Sequence, residues 1–164
     1  MNAPVSPPET HEAVYARLAD EIDAVLEGEP DRVARMATVA SMLAGAFDRF
    51  SWTGFYVVDP LKGDELVVGP YQGALGCLRI AFDRGVCGAT ATAKRTLIVD
   101  DVEAFPGHIA CDAATRSEIV VPVFDPAGEL IAVLDVDSIA PADFDEADAR
   151  GLETIVKRVF AVEG

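Results

Sequence analysis

The residues of this chain best suited to chemistry are its three cysteines, Cys77, Cys87 and Cys111. They lie in three separate segments punctuated by glycine, at residues 75–80, 84–88 and 107–112. An intracellular cysteine is normally either a small buried hydrophobe or a reactive thiol, and a reactive thiol needs a position that a substrate can reach. Cys111 is the best candidate nucleophile, because glycine, histidine and small residues lead into it and a polar stretch follows it.

Three carboxylates are expected to converge close to Cys111. In the apolar run at residues 130–137 the side chains alternate, so Asp135 and Asp137 fall on one face of a strand. Glu118 begins another apolar run, seven positions after Cys111, and a turn at residues 125–128 would pair the two runs as an antiparallel hairpin. Converging carboxylates repel one another, so at least one should keep its proton to a higher pH than a free carboxyl group.

A thiol beside protonated acids suits one type of reaction. The thiolate attacks a substrate atom while a protonated carboxyl group assists the departure of an oxygen, and the carboxylates can also hold an ammonium group. His108 and Arg116 would favour the thiolate, whereas Asp112 would oppose it. Each acid taken alone could simply end a strand at the solvent edge. For all three together, next to a cysteine loop, we favour the functional interpretation.

Trp52 and Tyr56 are candidates for contacts with a substrate. They are four positions apart in an aromatic and β-branched run, so they share one face of a strand. Aromatic residues of this kind most often belong to the core. Both also carry a polar tip, however, and two donors aimed into a pocket could hold a substrate oxygen.

The composition argues against several other classes of site. The formal charge of −15 makes nucleic acid and membrane surfaces poor partners. The cysteines are ten and twenty-four positions apart, without a Cys-x-x-Cys pair, so no metal site is expected. Residues 1–10 lack the basic start and apolar run of a secretory signal. We therefore predict a cytoplasmic protein in which any disulfide is part of the chemistry.

The pattern of apolar residues predicts an α+β domain. Helices are expected at residues 11–27, 31–50 and 86–94 and from residue 145 onward; strands are expected at 52–58, 65–68, 78–82, 97–99, 118–124 and 130–136. We predict a disordered lead-in at residues 1–10 and one domain at residues 11–164. Its central sheet is mostly antiparallel, with the N- and C-terminal helices on one face and loops over a pocket on the other.

Six segments, in order along the chain, closely resemble the free methionine-(R)-sulfoxide reductases, which are single GAF-domain enzymes. The segments read WTGFY at residues 52–56, GPYQG at 69–73, RGVCG at 84–88, GHIACDAA at 107–114, SEIVVP at 117–122 and VLDVDS at 133–138. The GHIACDA and SEIVVP strings are the most specific of them. The resemblance implies a GAF-like fold and reduction of free methionine-R-sulfoxide, with no bound cofactor.

The resemblance also implies roles for individual residues. Cys111 would attack the sulfoxide sulfur and become a sulfenic acid, and Cys77 would resolve it to a disulfide that thioredoxin reduces. Cys87 looks like an auxiliary cysteine, and the sequence leaves open whether Cys77 or Cys87 is the main resolving residue. Substrate contacts are implied for Trp52, Tyr56, Glu118, Asp135 and Asp137.

A second function remains open at this point. Many GAF domains are non-catalytic modules that bind a small ligand or sense a redox signal. Such a module would have no need of both Cys77 and Cys111, so the reductase is the favoured hypothesis. The exposed N-terminal helices are compatible with a homodimer.

Overall fold

The computed structural model describes residues 7–162, so most of the predicted lead-in lies outside the described residues. The helices are α1 (His11–Val25), α2 (Arg32–Ala46), α3 (Gly85–Ala93) and α4 (Glu146–Phe160). The strands are β1 (Trp52–Val58), β2 (Glu65–Gln72), β3 (Arg79–Ala81), β4 (Leu97–Val99), β5 (Ser117–Phe124) and β6 (Leu130–Ser138). Within this part of the chain, no helix is long and apolar enough to cross a membrane.

The strands form one six-stranded sheet in the order β3-β2-β1-β6-β5-β4. Every neighbouring pair is antiparallel. The predicted hairpin of β5 and β6 lies in the middle of the sheet, where Val and Ile dominate because both faces are covered. The predicted α+β architecture is confirmed.

The two faces of the sheet carry separate apolar clusters. On one face, α1, α2 and α4 pack over residues such as Phe55, Ile119 and Leu134. On the other face, α3 and the connecting loops cover Tyr56, Val120 and the other strand residues whose side chains point to that side. The expected division is therefore present, with α3 joining the loops on the pocket side.

The largest differences from the predicted boundaries are at the ends of α2 and β2; the other boundaries agree within two residues. α2 ends at Ala46 rather than at residue 50, because the backbone of Phe47 is already extended. β2 continues to Gln72 rather than stopping at residue 68. Its pairing with β3 covers only Glu65 to Val67, so beyond that point β2 is an edge strand and accepts Pro70 without loss of a ladder hydrogen bond on that side.

A buried ion pair fastens the helical layer to the end of the sheet. The Arg49 guanidinium donates to the Asp148 carboxylate in the first turn of α4 and to the Asp143 carbonyl, and lies over the rings of Phe47, Phe50 and Phe144. The Tyr15 hydroxyl of α1 also donates to Asp148, at 2.6 Å. This cluster fixes the connection between β6 and α4, and β6 carries two of the candidate site residues.

Replacing Arg49 by Met should strongly destabilise the fold. Methionine keeps the apolar stem over the aromatic rings, but it leaves the Asp148 carboxylate buried without its cation. We expect the free energy of unfolding in urea to fall by about 3 kcal/mol.

Arg150→Met is the matched control, because Arg150 pairs with Glu12 at the surface, where both side chains are mostly exposed. It should change stability little. Equal effects of the two substitutions would show that the buried pair has no special role.

Candidate functional site

A narrow pocket, with a cavity volume of about 30 Å³, lies between the sheet, the start of α3 and the loops on that side of the molecule. It is lined by seven of the eight candidate site residues from the sequence, namely Trp52, Tyr56, Cys87, Cys111, Glu118, Asp135 and Asp137. The eighth, Cys77, is bonded to Cys111. The structure therefore brings together all eight candidate site residues.

Cys77 and Cys111 form a disulfide at the mouth of this pocket. Their Cα atoms are 5.3 Å apart although the residues are separated by 34 positions in sequence. Cys77 lies on the loop between β2 and β3, and Cys111 lies on the long loop that leads into β5. Both residues are half-buried. Both sulfurs of the disulfide are therefore carried by loops and not by strands of the sheet.

Cys87 occupies a different environment, inside the first turn of α3. It is the free cysteine of the chain and is buried. Two glycines allow the start of α3 to pack closely against the chain that follows β3. Gly85 has a positive φ of 59°, and a Cβ on Gly88 would lie 2.4 Å from the Ala81 carbonyl oxygen. The Cys87 thiol consequently points at the acids of the sheet rather than at the disulfide loops.

The hairpin register creates the carboxylate cluster. Glu118 is opposite Asp137 and Val120 is opposite Asp135, so the three acids project from the same face of two adjacent strands. They are 7%, 8% and 5% exposed for Glu118, Asp137 and Asp135 respectively. One oxygen each of Glu118 and Asp135 and the sulfur of Cys87 all lie within 4.8 Å of one another. The predicted convergence is confirmed in position.

Burial is the main influence on the ionisation of this cluster. It raises the pKa of Glu118, Asp135 and Asp137 well above the usual range of carboxyl groups, and repulsion among the three raises it further. Burial and the nearby Asp135 also raise the pKa of the Cys87 thiol. The site therefore retains protons that solvent-exposed acids would lose, and Cys87 remains a thiol.

Two carboxylate oxygens in the cluster lack a hydrogen-bond partner, Oδ1 of Asp135 and Oδ1 of Asp137. Buried acceptors without partners are costly, and in native proteins such atoms usually face a ligand or water. Both residues line the pocket, so a cationic donor placed there would satisfy them. The arrangement is suited to binding a group such as an ammonium.

The same atoms raise the question of a metal. Among residues 7–162, Cys87, Glu118 and Asp135 form the one group whose ligand atoms are close enough to hold an ion. A set of three without a histidine falls short of the usual four-ligand zinc site, and we assign none of them as a metal ligand. The absence of a metal stays a prediction.

Trp52 and Tyr56 stack along one wall of the pocket, with ring centroids 5.5 Å apart. The Trp52 Nε1–H donates to the carbonyl of Ala74 at 2.9 Å, which ties the ring to the loop that carries Cys77. The Tyr56 hydroxyl faces the backbone of Cys77, and burial raises the pKa of this phenol, so it stays neutral. In the disulfide-bonded form both polar tips are thus directed at the Cys77 loop.

His108 and Arg116, which were expected to favour the Cys111 thiolate, lie in different places in the structure. His108 lines the pocket, whereas Arg116 is turned to the surface and donates to the carbonyls of Ala113 and Thr115. Sequence reasoning missed Thr115, a buried pocket residue whose hydroxyl lacks a partner. Its position between Cys111 and Glu118 was the available signal.

Comparison with known proteins places this architecture in a family. The model of the GAF domain matches residues 12–160. GAF domain-containing protein A of Dictyostelium discoideum is 46% identical over 146 residues, which cover 89% of this chain and 90% of that protein. The free methionine-R-sulfoxide reductase of Escherichia coli strain K12 is 39% identical over 148 residues, covering 90% of this chain and 87% of that enzyme.

A solved structure agrees with these relatives. The free methionine-R-sulfoxide reductase of Neisseria meningitidis, in complex with its substrate, superposes with a TM-score of 0.87 at 45% identity. The match covers 97% of this chain and 93% of that one. The resemblance seen in the sequence motifs is confirmed, and this chain belongs to the free methionine-R-sulfoxide reductase family of GAF-domain proteins.

Proposed function

We propose that this protein reduces free methionine-R-sulfoxide to methionine through a sulfenic acid on Cys111 and a disulfide with Cys77. The observation that carries the proposal is the Cys77–Cys111 disulfide at the mouth of a pocket with a buried carboxylate cluster. The preference for the R epimer comes from the family, since relatives from Escherichia coli and Neisseria meningitidis are named for it.

The carboxylate cluster supports recognition of a free amino acid. An ammonium group donates up to three hydrogen bonds, and Oδ1 of Asp135 and Oδ1 of Asp137 are unpartnered acceptors. Glu118 completes the cluster beside them. A methionine sulfoxide within a peptide has no ammonium at this position, so it would leave the buried acids unsatisfied.

The reaction transfers one oxygen atom and two electrons. The Cys111 thiolate attacks the sulfoxide sulfur, and the oxygen takes up a proton and passes from that sulfur to the Cys111 sulfur. The methionine sulfur–oxygen bond and the transient bond between the two sulfurs break, so methionine leaves and Cys111 becomes a sulfenic acid. A protonated acid of the cluster supplies the proton that the oxygen needs. The Cys77 thiol then attacks the sulfenic sulfur, water departs, and the disulfide forms.

The geometry supports Cys77, rather than Cys87, as the resolving residue. Cys77 reaches Cys111 from the loop between β2 and β3, which contains Gly73 and Gly76. Cys87 is held in α3 with its thiol toward Asp135, and its raised pKa keeps it protonated and therefore a poor nucleophile. Cys87 acts in this proposal as a neighbour of the acids, not as a redox partner.

Opening the disulfide would release the two aromatic donors. The Trp52 N–H and the Tyr56 hydroxyl are directed at the Cys77 loop in the oxidised form. When this loop moves away, both donors face the pocket and can hold the sulfoxide oxygen as negative charge develops on it. The proposal includes thioredoxin as the reductant, no bound cofactor and a cytoplasmic location, where such reductants keep thiols reduced.

Single cysteine substitutions should separate the three thiols. We expect Cys111→Ser to abolish turnover and Cys77→Ser to release one methionine per protein but to stall recycling by thioredoxin. Cys87→Ser should retain thioredoxin-supported turnover. The measurements are the burst amplitude of methionine and the steady-state rate with thioredoxin.

Full thioredoxin-supported activity of Cys77→Ser would transfer the resolving role to Cys87. If exposure of the parent protein to the sulfoxide oxidised no thiols and formed no methionine, the non-catalytic sensor module would be the better interpretation.

Blocking the amino group of the substrate should remove most of the activity. N-acetyl-methionine-R-sulfoxide cannot donate from an ammonium, so we expect its kcat/KM to fall at least about 100-fold below that of the free amino acid. The methyl ester, which keeps the ammonium and neutralises the carboxylate, is the control. Comparable rates with the acetylated compound would remove the carboxylate cluster from substrate recognition.

Replacing Asp135 by Asn should stabilise the fold while weakening substrate binding. The pKa of Asp135 is raised in the folded state, so the native protein binds more protons than the unfolded chain and loses stability as pH rises above the usual carboxyl range. Asn removes this loss. At pH 8 we expect a rise in Tm of about 2–4 °C, corresponding to about 1 kcal/mol, and near pH 4 almost none.

Asp148→Asn is the control of opposite sign, because Asp148 is paired with Arg49 and its neutralisation should lower Tm at pH 8. A lower Tm for Asp135→Asn at pH 8 would contradict the strain that we assign to the cluster. Thermal melts measure the change in stability, and the KM for the sulfoxide measures the change in substrate binding.

A further inference from the structure

Turnover in the proposed function requires that the Cys77–Cys111 disulfide be reopened by a dithiol, so the surface around this disulfide determines which reductant can reach it. Two large apolar side chains stand on this surface. Leu75 is 79% exposed and Leu78 is 71% exposed. They bracket Cys77, two positions before it and one after it. Leu75 also lines the substrate pocket, whereas Leu78 does not, so reduction of the sulfoxide itself leaves the exposure of Leu78 unexplained.

The chain segment that carries Cys77 is also almost free of charge. The chain has a formal charge of −15, yet residues 66–78 contain no charged side chain, and residues 105–111 contain none apart from His108. The next charged residue after Cys77 is Arg79, whose guanidinium is paired with Asp59 and Glu65. The surroundings of Cys77 are therefore apolar and almost free of unpaired charge.

The backbone of the Cys77 loop is held while its side chains face outward. The Val68 N–H donates to the Leu78 carbonyl at 2.9 Å, and the Ala74 carbonyl accepts from the Trp52 indole. The two leucine side chains do not take part in these bonds. Their exposure is thus a property of a defined surface, and a polar residue at position 78 would leave the anchoring bonds in place.

We propose that Leu75 and Leu78 form the docking surface for a protein dithiol reductant whose reactive thiolate is surrounded by apolar residues, and that this thiolate attacks the sulfur of Cys77. Burial of exposed leucine provides affinity for an apolar protein surface, and it provides none for a small charged thiol. Attack at Cys77 is favoured over attack at Cys111, because the exposed Leu75 and Leu78 flank Cys77, whereas Cys111 lines the pocket.

The exchange is balanced without any further reactant. The reductant thiolate forms a bond to the Cys77 sulfur, the Cys77–Cys111 bond breaks, and Cys111 leaves as a thiolate that takes up a proton. The second thiol of the reductant then attacks the mixed disulfide and releases Cys77. Two electrons pass from the dithiol to the protein, and the reductant leaves as a disulfide.

The test measures reduction of the disulfide alone, so its outcome is independent of methionine formation. The protein is oxidised to the Cys77–Cys111 form, and the rate of appearance of thiols is followed with thioredoxin and, separately, with dithiothreitol. For Leu78→Gln we expect the second-order rate constant with thioredoxin to fall about five- to tenfold, with the dithiothreitol rate unchanged. Leu75→Gln should lower the thioredoxin rate as well.

Val33→Gln is the matched control. Val33 is an equally exposed aliphatic residue, at 63%, but it lies on α2 on the other face of the sheet. Its thioredoxin rate should equal that of the parent protein. A thioredoxin variant that lacks its second active-site cysteine should be trapped as a mixed disulfide, and peptide mapping should locate the bond at Cys77.

Three results would overturn the docking proposal: an unchanged thioredoxin rate in Leu78→Gln, an equal loss with thioredoxin and dithiothreitol, or trapping at Cys111. A change in oligomeric size on Leu78→Gln would assign the leucines to a second copy of the chain instead. Failure of the proposed reductase function has a different signature, in which the disulfide is reduced normally but the parent protein forms no methionine from the sulfoxide.

Discussion

The antiparallel pairing of β5 with β6 is the constraint on which the rest of the site depends. It sets Glu118 opposite Asp137 and brings Asp135 to the same face of the central strands. A slip of one residue in this register would turn Asp135 and Asp137 of β6 away from the face that carries Glu118 of β5. Hydrogen bonds at the start of β5 support this pairing, since the hydroxyl of Ser117 donates to the Ala140 carbonyl and accepts from the Asp143 N–H in the chain that follows β6. The buried Arg49 cluster then fixes the chain that follows β6.

This pairing concentrates an unfavourable interaction in the core of the domain. Three carboxyl groups are buried against one another, and burial and mutual repulsion raise the pKa of each. Such a cluster opposes folding at neutral pH, and large apolar clusters on both faces of the sheet offset it. Sites of this kind are expected where a protein must bind a cation or deliver a proton, because the strain is relieved when the ligand arrives.

The residues of the site lie on two kinds of element, regular secondary structure and loops. The acids and the ring of Tyr56 belong to the sheet, and Cys87 is held by a helix that two glycines bring close to it. Cys77 and Cys111, by contrast, lie on loops. A cycle that makes and breaks a disulfide needs thiols that move relative to each other, whereas recognition of a small substrate needs fixed acceptors. The fold meets both needs by placing the acids on strands and the two disulfide-forming thiols on loops.

Much of this could be read from the sequence. Alternation along residues 130–137 and the turn at residues 125–128 predicted the hairpin, and the hairpin predicted the convergence of Glu118 with Asp135 and Asp137, because these are local patterns with fixed periods. The motifs predicted the family, which the comparisons confirm. The continuation of β2 past Pro70 was not predicted, since an edge strand tolerates a proline that a local pattern takes as a stop.

The positions of the three sulfurs were decided by tertiary structure alone. The family resemblance implied that Cys77 resolves Cys111, but spacing along the chain could not exclude Cys87. The β2–β3 loop meets the loop before β5 on the pocket side, although β1 and β6 separate β2 from β5 in the sheet. Cys87 instead lies beside Glu118 and Asp135. Sequence therefore determined which residue types were available for the reaction and on which strand face each acid lies. Contacts between segments 34 residues apart determined which thiols meet, because no local period carries that information.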